Sequence, residues 1–370
     1  MIAKHLLPWV VVSGSIACGD VAADDVAASD DVRASPTTAA RCVATDPATC
    51  QYTSELSFGV DVADNLLLRD PARGNLPVPL LVHYPIGAPN ARPVVIWNHG
   101  GAPSAGGKNR SEEWGQTLAA AGYVVIHPSR VPVTDVAPFQ AECTAEGFPL
   151  PADCALFIAE VKFGTQTAVF VLDSLADIEA QVPDLAGHLD ASRVIIAGHS
   201  AGSPVPLVLA GAVRVFPSGQ HRDGDPRPVA FLATGPHGPD YASFQDGFRE
   251  DSFHEIDTRP FLWISGRGDE TGAVGAANHE PSEARTAGWL TSTRGGKYLS
   301  WDNDEVAVHE SMDIHRCDDS DVQRTHCDAF AMLGIAFLDA VVRLRPAAVA
   351  YLASSAYDTL NAGVIELHRR

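Results

Sequence analysis

Five short, almost wholly apolar runs recur along this chain, at residues 93–97, 123–126, 193–197, 229–232 and 261–264. A strand with one wet face alternates apolar and polar side chains. Runs that are apolar throughout therefore predict strands buried on both faces, as in a parallel sheet. Segments of helical period lie between them. Residues 114–121 carry it, and residues 165–178 set Val169, Phe170, Leu172, Leu175 and Ile178 at helical spacing. A helix of small residues over 201–213 and an amphipathic one over 330–342 follow, while residues 79–84 and 297–301 read as further strands. This alternation predicts an α/β chain: a mostly parallel, doubly wound sheet with helices on both faces. In such sheets the site lies beyond the carboxyl ends of the strands.

The apolar run at 193–197 leads directly into Gly198-His199-Ser200-Ala201-Gly202, and small residues continue beyond it. A G-x-S-x-G sequence between a strand and a helix is a nucleophile elbow: the glycines let the turn tighten, and Ser200 is held with its hydroxyl projecting into the site. A serine hydroxyl is a weak nucleophile at neutral pH, so it needs a base, and the base needs an orienting carboxylate. After the 261–264 strand comes Ser265-Gly266-Arg267-Gly268-Asp269. Asp269 is the expected acid, with Glu270 and Asp240 as rivals. Beyond the 297–301 strand, the loop carries His309, chosen as base by position among 14 histidines. His315 and His326 fall beside a cysteine couple. The oxyanion of acyl transfer needs backbone donors. One is the Ala201 amide. The other comes from Asn98-His99-Gly100-Gly101-Ala102, with Gly101 first and Ala102 next, and His99 bracing that loop.

These stretches, from about residue 77 to 352, resemble bacterial α/β-hydrolases of the dienelactone-hydrolase-like and platelet-activating-factor-acetylhydrolase-like group. They are similar also to polyester hydrolases and cutinase-like enzymes. The resemblance rests on "RPVVIWNHGG", "LAAAGYVVIHPS", "VIIAGHSAG" and "FLWISGRGD". It implies the α/β-hydrolase fold and a serine esterase with no metal or organic cofactor. Two departures bear on specificity. Dienelactone hydrolases proper use cysteine where Ser200 stands. The acetylhydrolases place their acid after the strand that here ends near Thr234, where Thr234-Gly235 offers no carboxylate. The expected substrate is thus a small-molecule or polymeric carboxylic ester, cleaved through an acyl-enzyme on Ser200. An amidase or peptidase using the same triad is the alternative, and a catalytically inactive surface binding protein on this scaffold is the reading from another class.

The 370 residues suffice for one large domain. With 46% hydrophobic and 19% charged residues the composition is that of a globular protein, and the formal net charge of −20 argues against nucleic acid or an anionic membrane surface as partner. The chain begins with a positive, apolar and small-residue succession: Lys4 and His5, an apolar run over 6–12, then small residues leading to Cys18. Residues 1–18 thus read as a secretory signal ending at a lipobox-like cysteine, although Ser15 stands where an aliphatic residue is usual. Ordinary cleavage and release is the other outcome. Residues 19–40, with five Asp and no aromatic, read as a solvated acidic tether, and 41–370 as the catalytic domain. Removing Cys18 leaves six cysteines in local couples: Cys42 with Cys50, Cys143 with Cys154, Cys317 with Cys327. Each couple closes a short loop, as disulfides of exported proteins do, although spacing alone leaves the connectivity open. The expected address is therefore a bacterial cell-envelope lipoprotein, otherwise the periplasm or medium, with membrane contact only through an N-terminal lipid. Two excursions, 132–163 with Phe139, Phe148 and Phe157, and 235–255 with Tyr241, Phe244, Phe248 and Phe253, could line an acyl pocket or simply pack onto the domain.

Overall fold

The apolar runs assemble side by side. In the computed structural model, which describes residues 47–239, 246–271, 279–315 and 317–370, they form the middle of a nine-stranded sheet. At one edge β1 (Val60–Asp70) pairs antiparallel with β2 (Leu76–Pro85), and β2 pairs antiparallel with β4 (Val124–Pro128). From β4 the sheet continues parallel through β3 (Arg92–Asn98), β5 (Leu189–His199), β8 (Ala230–Thr234), β9 (Phe261–Gly266) and β10 (Lys297–Asp302). The strand β11 (Ile365–Arg369) closes the other edge antiparallel to β10. A separate hairpin, β6 (Arg214–Phe216) with β7 (Gly219–His221), stands off the sheet. The order is β1-β2-β4-β3-β5-β8-β9-β10-β11.

The period of two along a strand splits each apolar run between two cores. Val95, Trp97, Ile195, Ala197 and Leu232 face the layer made by Glu112–Ala120 and the long helix Asp321–Val341, where Trp97 stacks on Trp114 at 4.9 Å. Val94, Ile96, Val194, Ile196 and Phe231 face the layer of Phe163–Asp173, Leu175–Gln181 and Pro204–Leu209. All of these strand residues are fully buried.

Two helices differ from expectation. The one expected over 165–178 is divided at Ser174, which leaves helical geometry (φ −105°, ψ 16°). The one expected over 201–213 is cut to a 3-10 turn, Ser200–Gly202, and the short helix Pro204–Leu209. Pro204 and Pro206 donate no N–H, which suits a helix start, and the chain then leaves at Gly211 (φ 113°) for the hairpin.

Two expected cysteine couples are bridged, Cys143–Cys154 and Cys317–Cys327, with Cα atoms 5.4 and 5.9 Å apart. Cys50 is disulfide-bonded. Cys18, Cys42, the signal and tether segments, Asp240, Tyr241 and Phe244 lie outside the described residues. The 132–163 excursion forms its own small core around its disulfide, in which Phe148 stacks on Phe157 at 4.6 Å and Phe157 meets Phe216 edge-on. Its helical continuation, Pro151–Asp173, is apolar and long enough to cross a membrane, yet 61% of the apolar window is buried inside the fold. Phe248 and Phe253 pack into the main core. Phe148, Phe248 and Phe253 therefore serve packing.

Candidate active site

Three chain segments meet at the carboxyl ends of neighbouring strands. β5 ends at His199, and Ser200 follows with φ 51°, a left-handed conformation that costs a non-glycine residue energy. The turn is possible because residues 198 and 202 carry no Cβ. One at Gly198 would strike the Gly202 carbonyl, and one at Gly202 would strike the Asn98 carbonyl. Asp269 lies three residues beyond β9, in a turn closed by its own N–H to the Gly266 carbonyl at 3.0 Å. His309 opens a 3-10 turn, His309–Asp313, after β10.

The three side chains are connected. His309 Nδ1 lies 2.6 Å from Asp269 Oδ1, and Nε2 lies 2.7 Å from Ser200 Oγ. The carboxylate accepts from Nδ1–H, which leaves Nε2 as acceptor for the serine hydroxyl. Asp269 is fully buried, and its second oxygen accepts from Ser265 Oγ at 2.7 Å. Burial opposes its ionisation, but Arg285, His309 and the Ser265 hydroxyl overcome that cost and hold the carboxyl below the usual range. Ser200 and His309 remain half-buried, hence reachable. Glu270, by contrast, is exposed. His315 pairs with Glu113 at 2.9 Å and His326 with Asp302 at 2.5 Å, away from Ser200.

The 98–102 loop passes directly over the nucleophile: a Cβ at Gly100 would lie 3.1 Å from Ser200 Cβ. The amide of Gly101 shares its peptide plane with the Gly100 carbonyl. That carbonyl accepts from His99 Nδ1 at 2.8 Å and Arg110 Nη1 at 2.6 Å, so the N–H is turned the other way. The amide of Ala201 shares its plane with the Ser200 carbonyl, which accepts from Ser203 N–H at 2.8 Å. Neither amide donates to another backbone group among the described residues. His99 does brace the loop. Its Nε2 accepts from Arg130 N–H at 3.1 Å, and burial, then Arg130, push its pKa down to about 3, so it is neutral.

Several residues join the site besides the triad; of these His199 stands inside the elbow motif, and the others have no sequence signature. Arg130 grips the carbonyls of His99, Gly101 and Ala201 at 2.6, 2.8 and 3.0 Å, tying the two loops together. Its place just beyond β4 was the only clue. His199 stacks on His309 with ring centroids 4.7 Å apart and bonds the His309 carbonyl through Nε2 at 3.1 Å. Burial, then the adjoining His309, keep it well below the ordinary imidazole range. Asp313 lies 3.4 Å from its Nδ1 and accepts from Ser111 Oγ at 2.7 Å, and burial raises that carboxyl far above its usual value. Arg285 Nε donates to the Asp269 backbone carbonyl at 2.7 Å. A cavity of about 1400 Å³ opens elsewhere, lined by Arg73, Phe139, Phe157, Phe163 and Arg214, and none of Ser200, Asp269 or His309 borders it.

No protein-family model and no curated protein matches this sequence. Among solved structures, the ferulic acid esterase from Streptomyces cinnamoneus is similar, with a TM-score of 0.50 and 17% identity over 85% of this chain and 96% of that one. The fold is that of the α/β-hydrolases. At this identity the likeness speaks for architecture.

Proposed function

We propose that the chain is a serine hydrolase that cleaves carboxylic esters through an acyl-enzyme on Ser200. The observation that carries the proposal is His309 within hydrogen-bond reach of both Ser200 Oγ and Asp269 Oδ1, with Ser200 held on a left-handed elbow. His309 Nε2 takes the hydroxyl proton as Ser200 Oγ bonds to the ester carbonyl carbon, and Asp269 orients the imidazole and balances its charge. The carbonyl electrons move onto oxygen, where the amides of Gly101 and Ala201 receive them. Each such donor contributes roughly 3–4 kcal/mol in the transition state. The tetrahedral carbon then expels the alcohol, protonated by His309, and water repeats the sequence to release the acid and restore Ser200.

Ester rather than amide is the bond favoured here. The similar fold is found in a ferulic acid esterase, and esters release a better leaving group than amides. The intact set of three side chains disfavours an inactive binding protein. Export is part of the same reading. The Cys143–Cys154 and Cys317–Cys327 bridges suit an oxidising compartment, and the 1–18 segment supplies the address, with Cys18 as the lipidated residue. Hydrolysis of short and medium p-nitrophenyl esters by the full chain and by its Ser200→Ala variant tests the proposal. Turnover that is lost in the folded variant is expected, and equal turnover by both would reject it.

A further inference from the structure

Arg285 lies in the 3-10 turn Ser282–Thr286 with its side chain wholly enclosed. Its three nitrogens reach six acceptors. Nε donates to the Asp269 backbone carbonyl at 2.7 Å and lies 3.3 Å from the Asp269 Oδ1 that also meets His309. Nη1 donates to the carbonyls of Gly235 and Pro236 at 2.9 and 3.1 Å. Nη2 donates to Thr271 Oγ1 at 3.0 Å and pairs with Glu280 Oε2 at 3.1 Å. Gly235 is packed on the base itself: a Cβ there would lie 2.8 Å from His309 Cε1 and 3.0 Å from Nδ1. One planar group thus touches the acid, the acid's backbone and the wall behind the imidazole.

We propose that Arg285 is a positioning residue for the triad, fixing the Asp269 carboxylate with one edge of its guanidinium and the backbone behind His309 with the other. The proposal rests on the triad reading above and extends it to a residue that touches no substrate. Charge gives the arrangement its second effect. The charged groups facing His309 are Asp269, Arg285 and, through Arg285, Glu280; burial lowers the imidazole of His199 beside it well below its ordinary value and raises the carboxyl of Asp313 beyond it well above its own. With His309 neutral, two carboxylates and one guanidinium leave a single negative charge, which the proton arriving from Ser200 cancels. Without Arg285, two buried carboxylates would favour the protonated imidazole, and the free base would appear only at higher pH. A lysine would keep the charge but lose the planar fork that holds three chain segments at once.

The test compares the wild-type full chain with Arg285→Lys, Arg285→Gln and the Arg285→Gln/Glu280→Gln pair, in kcat and KM against pH on one p-nitrophenyl ester, with Tm as the measure of folding. In Arg285→Gln the acidic limb of kcat/KM moves up by about one pH unit, and in the pair, whose net charge equals that of wild type, it moves back. In Arg285→Lys the limb keeps its place while kcat falls about tenfold at unchanged KM, because charge survives and alignment does not. Tm loss with a wild-type kcat in folded Arg285→Lys, an acidic limb that stays put in folded Arg285→Gln, or one displaced from wild type in the folded pair overturns the proposal. Should Arg285→Gln fail to fold, the lysine and the charge-balanced pair decide it. Ser200→Ala in the same assay keeps the two readings apart. Activity surviving that variant removes the triad itself, whereas activity lost there but indifferent to Arg285 removes only this inference.

Discussion

Ser200 occupies a backbone conformation that costs on the order of 1–3 kcal/mol and persists only because its surroundings over-determine it. The means are visible residue by residue: two positions without Cβ at 198 and 202, a carbonyl pinned by Ser203, and a base whose own backbone is tied to His199. The same reasoning gives Asp269 a role that is geometric before it is electrostatic. An amide at that position keeps the shape but can present an N–H that donates to Nδ1, which puts the imidazole proton on Nε2 and leaves the wrong tautomer. Asp269→Asn is therefore expected to lower kcat by roughly 10³–10⁴-fold with KM little changed. Steady-state kinetics at neutral pH check this, and a loss below tenfold would mean that the carboxylate does not orient the base. This part of the site was legible because its residues stand in a fixed relation to strands that the sequence declares. Arg285, Arg130 and Asp313 were not, since a lone arginine or aspartate in an irregular segment has no period or motif, and the two arginines hold mostly backbone carbonyls that any sequence would supply.

Among the elements, the buried central strands were read with ends displaced by a few residues at most, because apolarity on both faces is a strong local signal. The edges were not. Residues 60–70 alternate exposed and buried positions only at their far end, and 365–369 carry Glu366, His368 and Arg369 outward. Such segments become strands through their neighbours rather than through their own composition. The helix after the elbow is shorter than expected for the opposite reason: its small apolar residues suggest length, but it starts only at Pro204 and the chain leaves at Gly211 with φ 113°. The disulfide-bridged excursion at 132–163 folds around its own aromatic cluster. Its Cys143–Cys154 loop, with a sequence separation of 11, contributes about 2–3 kcal/mol in chain-entropy terms. Replacing both cysteines with serine should lower Tm by about 5 °C while leaving kcat on a small ester unchanged. Calorimetry beside the esterase assay reads both, and a fall in kcat without a fall in Tm would place the excursion at the active site instead.

At the scale of the whole molecule, several imidazoles are locked inside in the neutral state. Burial lowers His83 to about 4 and, with Arg130, His99 to about 3, and it holds His127 and His199 far below their ordinary value. Because these folded values lie below the unfolded value of about 6.5, the unfolded chain takes up protons first as pH falls. Their contribution is complete above about pH 6.5 and is lost below it, at up to about 1.4 kcal/mol per group per pH unit. His237 and His326 run the other way. For His237 burial opposes the charge and Asp246 outweighs it; for His326 the Asp302 hydrogen bond leads. Both are raised, so they stabilise below about pH 6.5 and cease to as pH climbs through their folded values. Buried carboxyls that are raised, Asp313 and Glu160 among them, run the same way as His237 and His326, so the four imidazoles are read one by one rather than through overall stability. In an NMR titration of the folded chain from pH 7 to pH 5, the ring signals of His99 and His199 should keep their neutral positions. Ring signals that move with a midpoint near 6.5 would mean that these imidazoles are not held neutral in the fold.

A covalent acyl-enzyme on Ser200 is tested most directly by active-site labelling of the full chain with a p-nitrophenyl phosphonate, read by intact mass and peptide mapping. One phosphonyl group per chain is expected, carried on Ser200 with release of one equivalent of p-nitrophenol, and no label in Ser200→Ala. Labelling that persists in that variant, or a folded wild-type chain that takes up no label, would contradict it.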